Sequence, residues 1–308
     1  MAIRRQAHPT VVLAAVGLSL LTSASSLSAS SVGLTLEVST RARSLRPGEA
    51  ILLTIVPSRP LIVLEGTAFD HALSAWQDGA SRWQALAGIP LDTAPGAFEI
   101  RLRAKSTDGE TTHTAVTITV AAADFETRNL KVAERFVNPP QSVLPRIEKE
   151  AETMAAVYAA SQPERIWRGA FRPPVEGRST SSFGRLSILN GISRGRHQGA
   201  DFRAATGTPV VAPNAGRIAL VANHYFSGRT VVIDHGGGLL SLFAHFSKIA
   251  VKTGTMVKAG QILGEAGATG RVTGPHVHWT LRLQGVAIDP LSLMAALDHF
   301  DESASRNP

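Results

Sequence analysis

The chain has 308 residues, 44% of them apolar and 18% charged, with a formal charge of +7 and no cysteine. That composition belongs to a folded protein and not to a disordered or fibrous one, and the length favours two domains over one. The lack of cysteine excludes disulfides, thiolate ligands, a cysteine nucleophile and lipoprotein-type acylation. In chain order, Arg4 and Arg5 precede an apolar run at residues 11–21 and the small-residue stretch TSASSLSAS. This is the layout of a secretory signal peptide over residues 1–29, cleaved after Ala24 or Ala29. The run is too short to cross a membrane as a helix, and nothing later reaches the ~18 apolar residues that a span needs. A periplasmic or secreted protein is therefore expected, and without the two arginines of the leader its charge is +5. A residual positive charge suits an anionic polymer as partner. Nucleic acid is not expected, because no basic stripe with interleaved aromatics accompanies that charge. A monomer is assumed.

Residues 30–122 contain short segments of period-two alternation. Leu34, Leu36 and Val38 alternate with polar neighbours, RPGE at 46–49 makes a turn, and Ile51, Leu53 and Ile55 follow. Phe98, Ile100 and Leu102, then Val116, Ile118 and Val120, repeat the pattern. Strands at this spacing predict an immunoglobulin-like β-sandwich, with no polar cluster fit for chemistry and hence a targeting or spacer role. Residues 123–175 read as a linker broken by Pro139 and Pro140. Within it, Ser142 can cap a helix over about 143–160 in which Ile147, Ala151, Met154 and Tyr158 recur at helical spacing. A second β-rich region, 176–295, has strand candidates TPVVA, GRIALVA, RTVVIDH, LLSLFAH, QILGEAG and VHWTLRL, and 296–308 is a tail. The fold class is thus mainly β: a sandwich, a connector helix and an antiparallel C-terminal domain.

The chemistry concentrates in that last domain. In VHWTLRL the side chains alternate, so His276, His278, Thr280 and Arg282 share one strand face while Val277, Trp279, Leu281 and Leu283 share the other. An H-x-H alone is what any solvent-facing strand carries. The stretch RHQGADF changes its weight, because His197 and Asp201, four residues apart, lie on one side of either a strand or a helix, and Gly199 between them lets the backbone approach something closely. Imidazole and carboxylate are ordinary zinc ligands, and a third from the H-x-H pair makes a three-ligand site with an open position for water, the mark of a catalytic zinc. Such an ion lowers the pKa of its water to ~7. There is no H-E-x-x-H and so no glutamate base of that class. The H-x-H histidine not bound to metal and His245, at the end of SLFAHF, can take its place. His224 reads as a surface-loop residue and His235 as the cap of a turn. His71, His113 and His299 fall outside the site and His8 in the leader. The glycines of GATGRVTG lack a Walker lysine and read as the frame of a substrate groove.

The motifs HQGADF, FAHFSKI and GPHVHW, in this order, with GTPVVAPNAGRI after the first and VKTGTMVKAGQILGEAGATG between the last two, resemble the lysostaphin/LytM-type zinc endopeptidases that cut bacterial cell walls. The resemblance covers about residues 176–295. GIPLDTAPG and SSFG are also similar to members with an N-terminal β domain. Carried over position by position, the resemblance implies Zn²⁺ held by His197, Asp201 and His278, with His245 and His276 polarising the water and stabilising the tetrahedral intermediate. Phe243 stands where the family often has tyrosine. The implied reaction is hydrolysis of peptide cross-links in peptidoglycan, whose stem peptides carry free carboxylates that Arg194, Arg196 and Arg203 can contact. Two other functions fit the fold: a metal-free wall-binding or amidase-activating protein, and a secreted protease for glycine-rich proteins. Five filled site positions favour the enzyme. A sandwich lying over the groove would make it autoinhibited.

Overall fold

The computed structural model describes residues 33–181 and 183–298. The expected leader with its cleavage positions, His8, His299 and the rest of the tail from there lie outside the described residues. As expected, the chain is mainly β. No helix among the described residues is long and apolar enough to cross a membrane.

The first β region is a sandwich of two four-stranded antiparallel sheets. One sheet orders Leu36–Arg41, Ala50–Pro57, Trp83–Gly88 and Ser74–Gln77, and the other orders His71–Ala72, Leu61–Ala68, Gly96–Ser106 and Thr111–Val120. Alternation places Ile51, Leu53, Ile55, Ile100, Leu102, Ile118 and Val120 between the sheets in one buried cluster.

The strand Ala50–Pro57 is buried on its other face as well. Ala50, Leu52, Leu86 and Trp76 belong to the core cluster of the second β region, with Trp167, Phe171, Val286 and Ile288. A Cβ on Gly88 would sit 2.7 Å from Ile288 Cγ2, so only glycine permits this approach. Polar groups fix the contact. The amide of Asp289 donates to Gly48 O at 2.7 Å, that of Ala50 to Ser292 Oγ at 2.7 Å, and Arg43 bridges Glu49 and Asp289. Asp289 also caps the helix Pro290–Leu297 by accepting from the Leu291 amide.

In the second region an eight-stranded antiparallel sheet runs Ser179–Ser181, Ala200–Arg203, His276–Leu283, Leu239–Phe246, Gly228–Asp234, Gly216–His224 and Met256–Val257, with Val286–Ile288 beside His276–Leu283. Three-stranded sheets lie beside it. One pairs Pro209–Val211 and Lys248–Ile249 with Ile262–Glu265, and the other pairs the hairpin of Leu186–Leu189 and Ile192–Arg196 with Thr127–Leu130, a parallel strand from the connecting segment. The connector helix spans Leu144–Ala159. Ser142 does not cap it. It lies in a 3₁₀ turn, Gln141–Val143, and the helix starts behind it without a side-chain cap, on Pro145, whose fixed φ suits a first turn. None of the helix is fully buried, and polar pins hold it: Arg146 donates to Asn223 O at 2.8 Å and Glu150 accepts from the Tyr225 amide at 2.7 Å.

Candidate active site

Three adjacent strands build the floor. Asp201 pairs directly with His278 across one strand boundary, and Ala244 pairs with His278 across the next. Because Ala200 and Phe202 enter the core, Asp201 points to the opposite face, and His276 and His278 do so because Val277 and Trp279 are buried. Trp279 is fully buried and stacks on Phe243 with centroids 6.0 Å apart. Phe243 therefore faces the core, away from the groove.

His245 reaches the same face by a different route. Strict alternation from Phe243 would send its ring into the core. Between the pairs Val231↔Phe243 and Arg229↔Phe246, however, Ala244 and His245 together oppose Thr230, and His245 has φ 71°. This β-bulge shifts the side-chain phase by one residue, so Ala244 and His245 both line the groove and Phe246 returns to the core. A left-handed φ in a non-glycine residue is costly, and such strain concentrates at functional positions.

The side chains converge. His197 Nε2 lies 3.2 Å from Asp201 Oδ1 and 3.1 Å from His278 Nδ1, and His278 Nδ1 lies 2.8 Å from the same oxygen. These three atoms form a group able to hold a metal ion. His278 also has its Nε2 2.8 Å from Thr280 Oγ1; with a metal in place of the Nδ1 contact to Asp201, donation to that hydroxyl would leave the Nδ1 lone pair as the ligand. Burial would push the carboxyl of Asp201 up, but the hydrogen bonds and charges of His197 and His278 outweigh it and hold the group far below the usual carboxylate range. Burial also pushes His278 down, against Asp201. An ionised carboxylate and a neutral imidazole are the ligand states, so the donor set fits a divalent transition ion. Gly199 is required here, since a Cβ would meet Trp279 O at 2.5 Å and the His278 ring at 2.7 Å.

His276 and His245 lie side by side next to this cluster, their ring centroids 4.8 Å apart. His276 Nδ1 bonds Gly274 O at 2.9 Å and His245 Nδ1 bonds Thr269 O at 2.8 Å, so each Nδ1 carries the proton and the Nε2 of the neutral ring carries the lone pair. His276 Nε2 is 3.8 Å from Asp201 Oδ1. Burial, with His276 and His278 nearby, pushes His245 down to about 3. The Thr269 carbonyl is itself held, because Thr269 Oγ1 accepts from the Arg229 amide and donates to Phe246 O, against Gly228 with no Cβ between.

The floor opens into a groove of about 540 Å³. Arg194 and Arg196 line it as expected, but Arg203 lies in the neighbouring recess with Thr180 and Gly274. Arg271, within the GATGRVTG stretch expected to frame the groove, also lines it, as do the connecting-segment residues Arg128, Leu130 and Val132; only tertiary placement of a nondescript linker reveals the last three. No described residue of the sandwich lines the groove. His224 ends the strand Gly216–His224 and is not among the residues that line the groove. His235 is not a turn cap. Its ring is fully buried, donating from Nδ1 to Ala215 O at 2.7 Å and accepting at Nε2 from Ser241 Oγ at 2.8 Å, and Ser241 in turn accepts from Trp279 Nε1 at 3.1 Å. This network braces the histidine strand from behind.

Residues 195–290 match the sequence model of peptidase family M23. A crystal structure of a putative peptidase M23 from Pseudomonas aeruginosa superposes with a TM-score of 0.63 at 30% identity, over 82% of this chain and 96% of that one. The chain belongs to peptidase family M23. Among curated relatives, this M23 chain is 42% identical over 95 residues to the peptidoglycan DD-endopeptidase ShyA of Vibrio cholerae, covering 31% of this chain and 22% of that protein. It is 35% identical over 159 residues to an uncharacterized metalloprotease of Haemophilus influenzae, covering 48% and 33%. The M23 chain thus spans between about a fifth and a third of the length of these curated relatives.

Proposed function

We propose that the protein is an exported zinc endopeptidase that hydrolyses peptide cross-links of bacterial peptidoglycan. The observation that carries this reading is the convergence of His197 Nε2, Asp201 Oδ1 and His278 Nδ1 within 3.2 Å of one another, beside two histidines whose Nδ1 atoms are engaged elsewhere. The name of the Vibrio relative supports the substrate, and the leader-like N-terminus supports export.

His197, Asp201 and His278 would hold Zn²⁺, which when bound supplies Lewis acidity and an acidified water. The chain's own residues do the rest. With side-chain exposures of 16% to 20%, His197, Asp201, His276 and His278 are sheltered enough to strengthen electrostatics yet open to a ligand. His245, neutral, accepts a proton at Nε2 from the attacking water. Once protonated, the same atom is a donor that delivers the proton to the departing amine. His276, whose ring lies 4.8 Å from that of His245, would through a protonated Nε2 stabilise the oxygen on which charge develops. Carbonyl partners at both Nδ1 atoms hold the rings in position without reorganisation during the reaction.

The test is digestion of purified cross-linked peptidoglycan with mass spectrometry of the products. The metal-loaded protein is expected to generate new amino termini in the peptide cross-links, and the chelated protein and His278→Ala none. Binding to peptidoglycan with cross-links intact in all three would establish the wall-binding or amidase-activating alternative instead.

A further inference from the structure

The chain pairs many of its arginines with carboxylates. Arg59 meets Asp108 and Glu110, Arg101 meets Glu99, Arg103 meets Glu65 and Arg146 meets Glu150. The groove departs from this habit. Arg128, Arg185, Arg194, Arg196 and Arg271 line it together, Arg128, Arg194, Arg196 and Arg271 have no ion-pair partner among the described residues, and Asp201, within the metal-binding cluster, is the only acidic group described in its wall.

These guanidiniums are held in place by neutral groups. Arg271 lies 4.8 Å over the Phe226 ring. Arg196 lies 5.0 Å over Phe125 and donates to Gly184 O at 3.0 Å, and Arg194 donates to the carbonyl of Val137. Phe125, Arg128 and Val137 all belong to the connecting segment, so one wall of the cluster comes from outside the M23-matched residues. Burial, then repulsion from Arg194, pushes Arg271 down, as two like charges facing one space without a counterion should. Anchoring by aromatic faces and carbonyls leaves donors unspent and lowers the ordering cost of capturing an anion.

We propose that Arg194 and Arg271, flanked by Arg196 and Arg128, form a carboxylate-binding subsite beside the metal cluster that selects cross-linked peptides bearing a free carboxylate next to the cleaved bond. This inference rests on the endopeptidase reading above and adds to it a recognition element. The planar forks of two arginines match one carboxylate through paired N–H···O bonds, and a carboxamide offers one acceptor and no charge. The subsite therefore distinguishes free from amidated stem peptides.

The experiment compares kcat/KM on two purified cross-linked muropeptides that differ only in whether that carboxyl group is free or amidated. The enzymes are the full metal-loaded chain, Arg271→Lys, and the double variant Arg194→Gln/Arg271→Gln. The full chain should prefer the free carboxylate by more than about tenfold. Arg271→Lys should retain part of that ratio, and the double variant should bring it to within about twofold. Because a partly unfolded sample loses both rates equally, the ratio reports the subsite and not folding. Equal cleavage of both substrates by the full chain, or a preference that persists in the double variant, overturns the subsite and leaves the endopeptidase reading standing. Failure to cleave either substrate overturns that reading itself.

Discussion

The strands Ala50–Pro57 and His276–Leu283 each bury one face in the core of their own β region and differ in what the other face carries. In the first, Ile51, Leu53 and Ile55 point between the sandwich sheets while Ala50 and Leu52 point into the core of the second region. In the second, Val277, Trp279, Leu281 and Leu283 are core, and His276, His278 and Thr280 face the groove. The same pleat serves two ends. An apolar second face fixes one β region against the other, whereas a polar one sets ionisable groups in a row at a spacing of roughly 6.5 Å on a braced backbone. Substitutions on the two strands should therefore separate stability from chemistry.

The largest expected effect is His278→Ala. If His278 is one of three metal ligands, as proposed, its removal forfeits the several kcal/mol of transition-state stabilisation that a bound ion supplies, a fall of more than roughly 10³-fold in kcat/KM. Atomic emission should find less than stoichiometric zinc, with melting temperature shifted little relative to the metal-free parent. Leu52→Ala should do the reverse: a loss of about 2–3 kcal/mol in denaturant unfolding, from the cavity it leaves, with zinc stoichiometry intact. If Leu52→Ala stripped the metal, the two β regions would be coupled through the site and the comparison would fail.

Next in size is Trp279→Ala, which strikes the core face directly behind the histidines. Loss of a fully buried indole costs about 3–5 kcal/mol. It also removes the stack on Phe243 and the bond to Ser241, so activity should fall with stability, unlike in either variant above. Trp279→Phe should recover most of the stability while still lacking the Nε1 donor.

How far the sequence foretold this architecture differs between the two strands. VHWTLRL showed its faces plainly, because polar and apolar residues alternate and the alternation is obeyed. AILLTIV at 50–56 also carried a signal, an apolar run interrupted only by Thr54 that suits a strand buried on both faces, but only the alternate members Ile51, Leu53 and Ile55 stand out when a one-sided sandwich is expected. At the site, residue types and spacing marked His197, Asp201 and the pair His276 and His278, and only the family resemblance chose His278 from that pair. The groove position of His245 was not, because it depends on a bulge that breaks period two, and bulges leave no mark in composition. The linker wall was equally hidden: Thr127–Leu130 is four residues long, and its strand exists only because the edge of Leu186–Leu189 is there to pair with.

His235 gives a prediction with a definite sign. Burial pushes its imidazole down to about 4, against an ordinary value near 6.5 in the unfolded chain. Between those values the unfolded state binds a proton that the native state refuses, so stability is complete above about pH 6.5 and is lost as pH falls toward 4. The loss from this one group is on the order of 3 kcal/mol at the lower end. Urea unfolding of the full chain and of His235→Gln across this window should show a steeper decline in the parent. Parallel curves would mean that the ring is protonated in the folded state and that the brace behind Trp279 is wired differently.

The smallest effect expected lies one step beyond the ligands and tests whether the polar face acts as a row or as separate residues. Thr280 follows His278 by one pleat, and its hydroxyl lies 2.8 Å from the Nε2 of that ring, where accepting the Nε2 proton would hold the tautomer that presents Nδ1 to a metal. Thr280→Val keeps the shape and the β-branching and removes the acceptor. Because Thr280 is buried, the orphaned N–H finds little water to replace it. Zinc affinity, measured by competition with a chromophoric chelator, should fall about 10- to 100-fold, and thermal stability of the metal-free protein should change far less than in Trp279→Ala. Such a separation would show that the groove face of this strand tunes the metal cluster through its third member while the core face alone carries the fold.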